Sequence, residues 1–273
     1  MIVDAHVHIW KQDLHFPNPS ATFMSPTSEI PLELLSRYMD DHGVGRAVLV
    51  QPMYPGEDNS LIADAARAQP DRYAAVCVVD PRLPEAPDKL EHWVKERGCR
   101  GLRLRPAFAA ESMAFENDAL WERSRKLGIV VSVLARMEHV AAIARRAERF
   151  SDVTIIVDHL AHPDPAAGPG SPAFLAFLAL ADLPNILVKP TGFHNFSKRP
   201  YPHEDCDPIF ALVLDRFGPE RMIWGSDFPH VLVKAGYGPA LRHFERYPYL
   251  SAGDRELIQS KNAERLYWAS GKF

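Results

Sequence analysis

Short apolar stretches alternate along the chain with longer stretches in which apolar residues recur every three or four positions. The first pattern is typical of buried strands and the second of amphipathic helices. Some short stretches, such as Val48-Leu49-Val50, are apolar throughout, as expected of parallel strands buried on both faces. The pattern predicts eight strands: Ile2–Ile9, Ala47–Gln51, Tyr73–Val79, Gly101–Arg105, Ile129–Leu134, Val153–Asp158, Ile186–Lys189 and Met222–Gly225.

Each predicted strand is followed by a stretch of helical periodicity. The predicted helices are Pro31–His42, Asp58–Gln69, Asp88–Arg97, Asn117–Leu127, Glu138–Phe150, Pro172–Leu183, Asp207–Phe217 and Asp254–Trp268. Eight such units without a break in composition predict one (β/α)₈ barrel domain over residues 1–273. The main alternative is an open doubly wound sheet. That fold usually has a glycine-rich phosphate loop after its first strand, where this chain has His-Val-His-Ile-Trp.

Composition narrows the class of protein further. The 273 residues suit one barrel or two small domains. A net charge of −4 without an arginine-rich run argues against nucleic-acid binding, and no stretch of about 18 apolar residues predicts a membrane span. The three cysteines have no metal-binding spacing and no signal peptide begins the chain, so we expect a cytoplasmic protein. Homo-oligomer formation stays open.

Reactive side chains stand at the carboxyl ends of three predicted strands, where barrel enzymes have their active sites. His6 and His8 end the first strand and share a face because side chains alternate along a strand. His159 follows the sixth strand. Asp227 follows the eighth, which neighbours the first in a closed barrel. One such histidine is commonly structural, but four groups that converge on one mouth predict an active site.

Further polar residues near the strand ends are candidates for substrate binding. Arg103 and Arg105 share a face of the fourth strand, and a guanidinium matches a carboxylate with two parallel hydrogen bonds. They indicate a small acidic substrate, with structural arginines as the alternative. Lys189, at the end of the seventh strand, contacts either substrate or a buried aspartate. The remaining candidates for the pocket wall are His230, Gln51 and Tyr54.

Two segments between the seventh and eighth strands carry polar residues of open role. Residues 193–199 mix aromatic and basic groups, and this loop either contacts substrate or is a plain surface loop. Residues 203–207 contain one histidine and three acidic residues directly before a predicted helix. We expect these acidic residues to cap the helix and favour its dipole rather than bind a metal.

Three motifs carry the candidate catalytic residues: Val3-Asp4-Ala5-His6-Val7-His8, Val157-Asp158-His159 and Trp224-Gly225-Ser226-Asp227-Phe228-Pro229. Together they resemble the amidohydrolase superfamily, and most of all its amidohydrolase-2 branch. Within that branch, residues 43–51, 78–81 and 100–105 are similar to the group that contains 2-pyrone-4,6-dicarboxylate lactonase and sugar-acid lactonases. The resemblance spans nearly the whole chain.

The resemblance also bears on metal content. Two-metal members of the superfamily use a bridging lysine or glutamate on strand four and a histidine on strand five. This chain has Arg103 and Arg105 on strand four and no histidine in Ile129–Leu134, so two metals are not expected. One Zn²⁺ could have three nitrogen ligands and one oxygen ligand: His6, His8, His159 and Asp227. Because the arginines disfavour a divalent cation, we expect no required cofactor, with one metal such as zinc as the alternative.

The resemblance implies hydrolysis of an acidic lactone. Asp227 would be the general base that deprotonates the attacking water, and His6, His8 and His159 would polarise the carbonyl group. One alternative is a mononuclear-metal-dependent decarboxylase or C–N hydrolase of the same superfamily. Others are a lactone isomerase and a non-catalytic barrel that binds an acid.

Overall fold

The computed structural model of the chain describes residues 1–11, 29–52, 56–105 and 116–269. Within these ranges, seven parallel strands form one sheet in sequence order. The strands are β1 (Ile2–Val7), β2 (Val44–Val50), β3 (Tyr73–Cys77), β4 (Gly101–Leu104), β5 (Val130–Leu134), β6 (Ile155–Asp158) and β7 (Ile186–Val188). Each begins and ends within a few residues of its predicted bounds, except that β2 starts earlier.

Helices connect and cover the strands, and none in the described ranges is long and apolar enough to cross a membrane. They are α1 (Leu32–Asp41), α2 (Ser60–Ala68), α3 (Ala86–Lys95), α4 (Asp118–Leu127), α5 (Val140–Arg149), α6 (Pro172–Ala179), α7 (Phe193–Phe196), α8 (Asp207–Phe217), α9 (Tyr237–Leu241), α10 (Ala252–Glu256) and α11 (Asn262–Tyr267). The short helices α7 and α9 are additions to the predicted set.

The two faces of the sheet pack into two separate apolar clusters. In β2, Ala47 and Leu49 join an outer cluster that contains most of the buried apolar residues of the helices. Val48 and Val50 join an inner cluster. That inner cluster consists of strand residues, Ile223 and residues of α11, which include Tyr267. Because the strands supply most of an apolar cluster on their own inner face, the sheet curls around it.

Polar side chains form the next layer along the same inner face. Ser132, Asp158 and Lys189 each lie two positions after a residue of the inner apolar cluster. They therefore point to the same side of the sheet as that cluster, nearer the carboxyl ends of their strands. Arg103 of β4 alternates with Leu102 and Leu104, which pack on the helix side. The alternation thus collects these four polar residues above the apolar interior.

The predicted eighth strand, Met222–Gly225, is not a strand in the structure. The segment that contains it is bound to both edges of the sheet through isolated parallel bridges, from Met222 to Val188 and from Phe228 to Val7. Between those bridges, the Trp224 N–H donates to the Ile258 carbonyl at 2.8 Å instead of to a strand. A regular ladder is interrupted because this donor is used elsewhere.

The predicted last helix, Asp254–Trp268, is also interrupted. A π-helical turn, Leu257–Lys261, separates α10 from α11, and its Ile258 carbonyl is the one that accepts from Trp224. A π turn inserts one extra residue into a helix, and such turns are frequent near functional sites. The pattern of apolar residues predicts helix on both sides of the turn but not the turn itself.

Gly225 tests how tightly residues 222–228 pack against β1. A Cβ at this position would stand 2.5 Å from His6 Cβ and 2.6 Å from the His6 backbone nitrogen. We expect Gly225→Ala to lower the free energy of unfolding by about 1–3 kcal/mol through overpacking, measured by urea denaturation. Gly170→Ala is the control, because a Cβ there meets nothing within 4 Å. Equal effects of the two substitutions would contradict this packing.

Candidate active site

An irregularity in β1 directs His6 and His8 into the site. The register between β1 and β2 shifts between Asp4 and Val7, and Ala5 and Val7 belong to different apolar clusters. Strict alternation would put Ala5 and Val7 on the same face. The irregularity re-aims the end of the strand, as a β-bulge does, and both imidazoles reach Asp227.

One oxygen of Asp227 is the meeting point of three imidazoles. Its Oδ1 lies 3.5 Å from His8 Nε2, 3.9 Å from His6 Nε2 and 4.0 Å from His159 Nε2. All four side chains are at most 5% exposed. The structure therefore brings together the four residues that the motifs place at separate strand ends.

The other oxygen of Asp227 is held by α7. Its Oδ2 accepts hydrogen bonds from His194 Nε2 at 3.2 Å and from Asn195 Nδ2 at 2.9 Å. Burial alone would raise the pKa of Asp227, but the interaction with His159 and the hydrogen bond from His194 outweigh it. The pKa of Asp227 is therefore held well below its usual value, and the group is a carboxylate.

The backbone around His159 is in an unusual conformation. Residues 159–162 all have positive φ, between 51° and 56°, which costs about 1–2 kcal/mol for each ordinary residue. A Cβ on Gly192 would stand 2.5 Å from His159 Nδ1, the same nitrogen that lies 2.9 Å from Thr191 Oγ1. Such strain is typical of functional sites, and here it fixes the position of the imidazole.

A buried charge cluster lies beneath the imidazoles. Asp158 Oδ1 contacts Lys189 Nζ at 3.1 Å and accepts from Ser132 Oγ at 2.9 Å, and Asp158 Oδ2 accepts from Arg103 Nε at 3.2 Å. Lys189 Nζ also lies 3.2 Å from His6 Nδ1. Lys189 is fully buried and pairs with Asp158. Pairing with a buried aspartate is one of the two alternatives that the sequence leaves open.

Burial and charge act against each other in this cluster. Burial alone would raise the pKa of Asp158, but Lys189, His6 and Arg103 outweigh it and hold that pKa well below its usual value. Burial lowers the pKa of Lys189, whereas Asp158 opposes that shift. Burial also lowers the pKa of His6 well below its usual range and that of His159 to about 3. Both rings are therefore neutral near pH 7.

The donor set fits a single divalent cation. Donor atoms of His6, His159 and Asp227 lie within 4.8 Å of one another, as do those of His8, Asp227 and His230. The His8 Nδ1–H donates to the Val50 carbonyl at 2.7 Å, which leaves Nε2 with the lone pair that a metal needs. Histidine ligands in proteins usually have such an oxygen partner on the far nitrogen.

The site opens into a cavity of about 210 Å³. Its described lining consists of His8, Pro52, Arg103, Leu134, His159, His162, Asn195, Asp227 and His230. Burial lowers the pKa of His230 to about 4. A chamber of this size, walled by several polar groups, suits a small polar ligand.

The other predicted binding residues have different positions. Gln51 is buried and its Nε2 donates to the Asp58 carbonyl at 2.7 Å. Arg105 is also buried, and burial, with the charge of Arg103 beside it, lowers its pKa to about 9. Neither is among the described lining residues of the cavity. Tyr54 lies outside the described residues.

The prediction that acidic residues in 203–207 cap α8 is wrong, because the N-cap is Cys206 and no side chain makes a capping hydrogen bond there. Asp207 does lie in the first turn of α8, where a carboxylate favours the helix dipole as predicted. Asp205 instead accepts from the Lys198 N–H at 2.7 Å, and Asp207 pairs with Arg246 at 2.8 Å. These carboxylates serve tertiary contacts, which the spacing along the chain does not indicate.

The sequence does not single out His194 and Asn195, the two residues that hold Asp227. They belong to residues 193–199, the loop for which the sequence leaves open a substrate-binding or a plain surface role. The signal that could have found them is their place directly after Gly192, at the end of β7, where polar residues in a parallel sheet face the site. His162 of the cavity wall is a further residue outside the predicted set.

Comparison with known proteins agrees with this geometry. A family model described as amidohydrolase matches residues 3–268. The chain belongs to the amidohydrolase family. Among its relatives is a 4-sulfomuconolactone hydrolase of Hydrogenophaga intermedia, 30% identical over 239 residues, which covers 83% of this chain and 74% of that protein.

Other members of the amidohydrolase family match over a greater length. A 2-pyrone-4,6-dicarboxylate hydrolase of Comamonas testosteroni is 27% identical over 285 residues, with 97% of this chain and 90% of that protein covered. A crystal structure of an amidohydrolase from Burkholderia multivorans with bound zinc superposes with a TM-score of 0.84 at 23% identity. The match covers 98% of this chain and 99% of that one.

Lys189 tests the buried charge cluster. Lys189→Met removes one of the two cations that contact Asp158 and leaves that carboxylate undercompensated, so we expect the free energy of unfolding to fall by about 3–5 kcal/mol. Urea denaturation measures this change. Lys198→Met is the matched control, because Lys198 is 66% exposed and its loss should change stability by no more than about 0.5 kcal/mol. A comparably small effect at Lys189 would contradict the cluster.

Proposed function

We propose that the protein hydrolyses a lactone that carries an acidic group. The observation that carries this proposal is the contact of three imidazoles with one oxygen of an ionised Asp227 at the wall of a cavity. The two curated relatives are named as hydrolases of a sulfonated lactone and of a pyrone dicarboxylate, and they support the substrate class.

Asp227 is the general base of the proposed reaction. His194 and Asn195 hold Oδ2, so that Oδ1 is the oxygen on the side of the three imidazoles. This oxygen takes a proton from water as the water oxygen bonds to the lactone carbonyl carbon. The ring C–O bond then breaks, and the alkoxide that leaves takes the proton from Asp227. The products are one hydroxy acid and the regenerated carboxylate.

The three imidazoles have different tasks in this proposal. We infer that, with substrate bound, Lys189 donates toward His6 Nδ1 and the ring proton of neutral His6 resides on Nε2, from which it is donated to the carbonyl oxygen. Arg103 Nη2, which faces this nitrogen at 3.4 Å in the structure, then contacts the acidic group of the substrate instead. The Thr191 hydroxyl can donate to His159 Nδ1 as Lys189 does to His6. His8 departs from the sequence expectation, because its Nδ1–H is used by Val50. With the ring proton on Nδ1, His8 Nε2 can accept a hydrogen bond, which suits it to orient the attacking water.

The excess of cations in the buried cluster favours an anionic substrate. Arg103 and Lys189 both contact Asp158, so two positive charges share one carboxylate. Arg103 is the member of this cluster that lines the cavity, and we assign it the contact with the acidic group of the substrate. His230 would contact the substrate from the same cavity wall. Gln51, whose carbonyl accepts from Arg103 Nη1 at 3.4 Å, and Arg105 would support Arg103 from outside the cavity.

A divalent cation is not required in this proposal, although His6, His159 and Asp227 could hold one, as could His8, Asp227 and His230. When bound, such a cation would polarise the carbonyl and lower the pKa of a bound water. Arg103 Nη2 lies 3.4 Å from His6 Nε2, and this guanidinium repels a second positive charge at that nitrogen. The ring N–H groups of His6 and His159 activate the carbonyl without a cation.

We also propose that residues 222–228 are the eighth member of a closed (β/α)₈ barrel and that the chain is one domain. The bridges of this segment to both β7 and β1 support closure, as does the single curled sheet with its inner apolar cluster.

Asp227→Asn tests the general base. An amide cannot take the proton of water, so we expect hydrolysis of every accepted lactone to slow by about 10²–10⁴-fold. The assay follows ring opening in a panel of carboxylated pyrone and sugar-acid lactones. Asp215→Asn, an exposed substitution on α8, is the matched control and should keep full activity. Undiminished turnover by Asp227→Asn would rule out the mechanism.

Metal removal tests the cofactor proposal. After treatment with chelator and removal of the chelate, we expect the protein to keep the lactonase activity of the untreated sample, because protein donors activate the carbonyl. Elemental analysis of the same samples establishes the bound metal independently of activity. Loss of activity that stoichiometric Zn²⁺ restores would refute this expectation and favour the metal-dependent reactions of the family.

A further inference from the structure

A second, smaller cavity is lined by Phe193 and His194 of α7 and by Ser226, the residue before Asp227. Its volume is about 30 Å³, enough for one or two water molecules. Its wall is mostly apolar but also includes the polar residues His194, Tyr201, His203, Ser226 and His243. A water molecule in a cavity of this size is stable when it has a few polar partners, and these residues can supply them.

His203 presents an unpaired nitrogen in this cavity wall. It is 4% exposed, and its Nδ1–H donates to the Arg199 carbonyl at 3.0 Å. That bond assigns the ring proton to Nδ1 and leaves Nε2 as an acceptor. Nε2 is fully buried and has no hydrogen-bond partner in the described part of the chain. Burial lowers the pKa of His203, which keeps the ring neutral and the acceptor available.

His194 is the residue that connects this cavity to the active site. It donates its Nε2–H to Asp227 Oδ2 at 3.2 Å and also lines the cavity, and with the ring proton on Nε2 its Nδ1 can accept a hydrogen bond. His203 Nε2 is the poorly satisfied atom of the two rings, because a buried polar atom without a partner costs free energy. A water molecule has two protons and can donate one to each ring.

We propose that a buried water in this cavity donates to His203 Nε2 and to His194 Nδ1, and that His203 is thereby a positioning residue for Asp227. The water fixes the orientation of the His194 ring, and the ring fixes the carboxylate. The functional half of this inference rests on the proposed role of Asp227 as general base. The structural half, the water and the two tautomers, does not.

The structural half is tested on the intact enzyme without any substrate. A high-resolution crystal structure should show a water peak within hydrogen-bond distance of both ring nitrogens. Long-range ¹H–¹⁵N spectra of ¹⁵N-histidine-labelled protein should show His203 protonated on Nδ1 and His194 on Nε2. A dry cavity, or the opposite tautomer of either ring, overturns the proposal whatever the activity of the enzyme.

The functional half is tested by two substitutions that separate the two ring nitrogens of His203. The amide of His203→Asn reaches the Nδ1 position, so it keeps the bond to Arg199, and asparagine tolerates the positive φ of 61° found there. It loses the acceptor at the Nε2 position. His203→Gln reaches that position and restores an acceptor.

We expect His203→Asn to lower kcat about fivefold, the equivalent of one net hydrogen bond, with KM unchanged, and His203→Gln to recover most of that loss. Histidine signals of His194 should shift in His203→Asn and return in His203→Gln. His92→Asn, at an exposed helix position, is the control and should match the wild type.

Equal kcat for His203→Asn and the wild type overturns the positioning role, as does a loss that His203→Gln shares in full. Failure of the lactonase proposal has a different signature, because wild type and variants would then be equally inactive while the water and the tautomers are observed. Thermal unfolding of each variant identifies any loss that comes from destabilisation alone.

Discussion

The Asp158 carboxylate, buried where water cannot reach it, is the constraint around which the active site is arranged. A carboxylate in such a place is stable only when cations and hydrogen-bond donors surround it. Lys189 and Arg103 supply the cations and Ser132 the hydroxyl. Each comes from a different strand of the curled sheet, so the cluster ties β4, β5, β6 and β7 together at one level. The same lysine contacts His6, so the position of this candidate catalytic residue also depends on the cluster.

The two oxygens of the Asp227 carboxylate are likewise held by different parts of the chain. One oxygen lies among three imidazoles from two strand ends, and the other is bound by two residues of α7. The carboxylate itself sits at a positive φ of 62°, a conformation that a non-glycine residue adopts only when its surroundings enforce it. Because the contacts on α7 come from outside the predicted catalytic motifs, the position of the proposed base depends on a segment that carries no part of its chemistry.

Much of this architecture is predictable from the sequence. The spacing of apolar residues depends on which faces of a strand or helix are buried. This spacing therefore locates the seven strands and most helices. Placement of His6, His8, His159 and Asp227 at one rim follows from the parallel order of the strands. The positions of Arg103 and Lys189 on the inner face follow from alternation.

Other features depend on tertiary partners that the local pattern does not contain. The eighth segment pairs irregularly because the Trp224 N–H is bound by a carbonyl more than thirty residues later in the chain. The irregular register at the end of β1 and the left-handed backbone of residues 159–162 are stabilised by packing against other elements. Likewise, nothing in the spacing of 193–199 tells a surface loop from a clamp on Asp227.

The π turn, Leu257–Lys261, determines which carbonyl of the last helical region faces the Trp224 N–H. Its surplus residue brings the Ile258 carbonyl to the Trp224 N–H, three positions before Asp227. A family member that regularised this helix by deleting one residue would rotate everything after it by about 100°. It would also withdraw that acceptor. We therefore expect changes in chain length to be tolerated in the outer loops but not in the helix that contains the π turn. This helix positions residues 222–228, which present the Asp227 carboxylate.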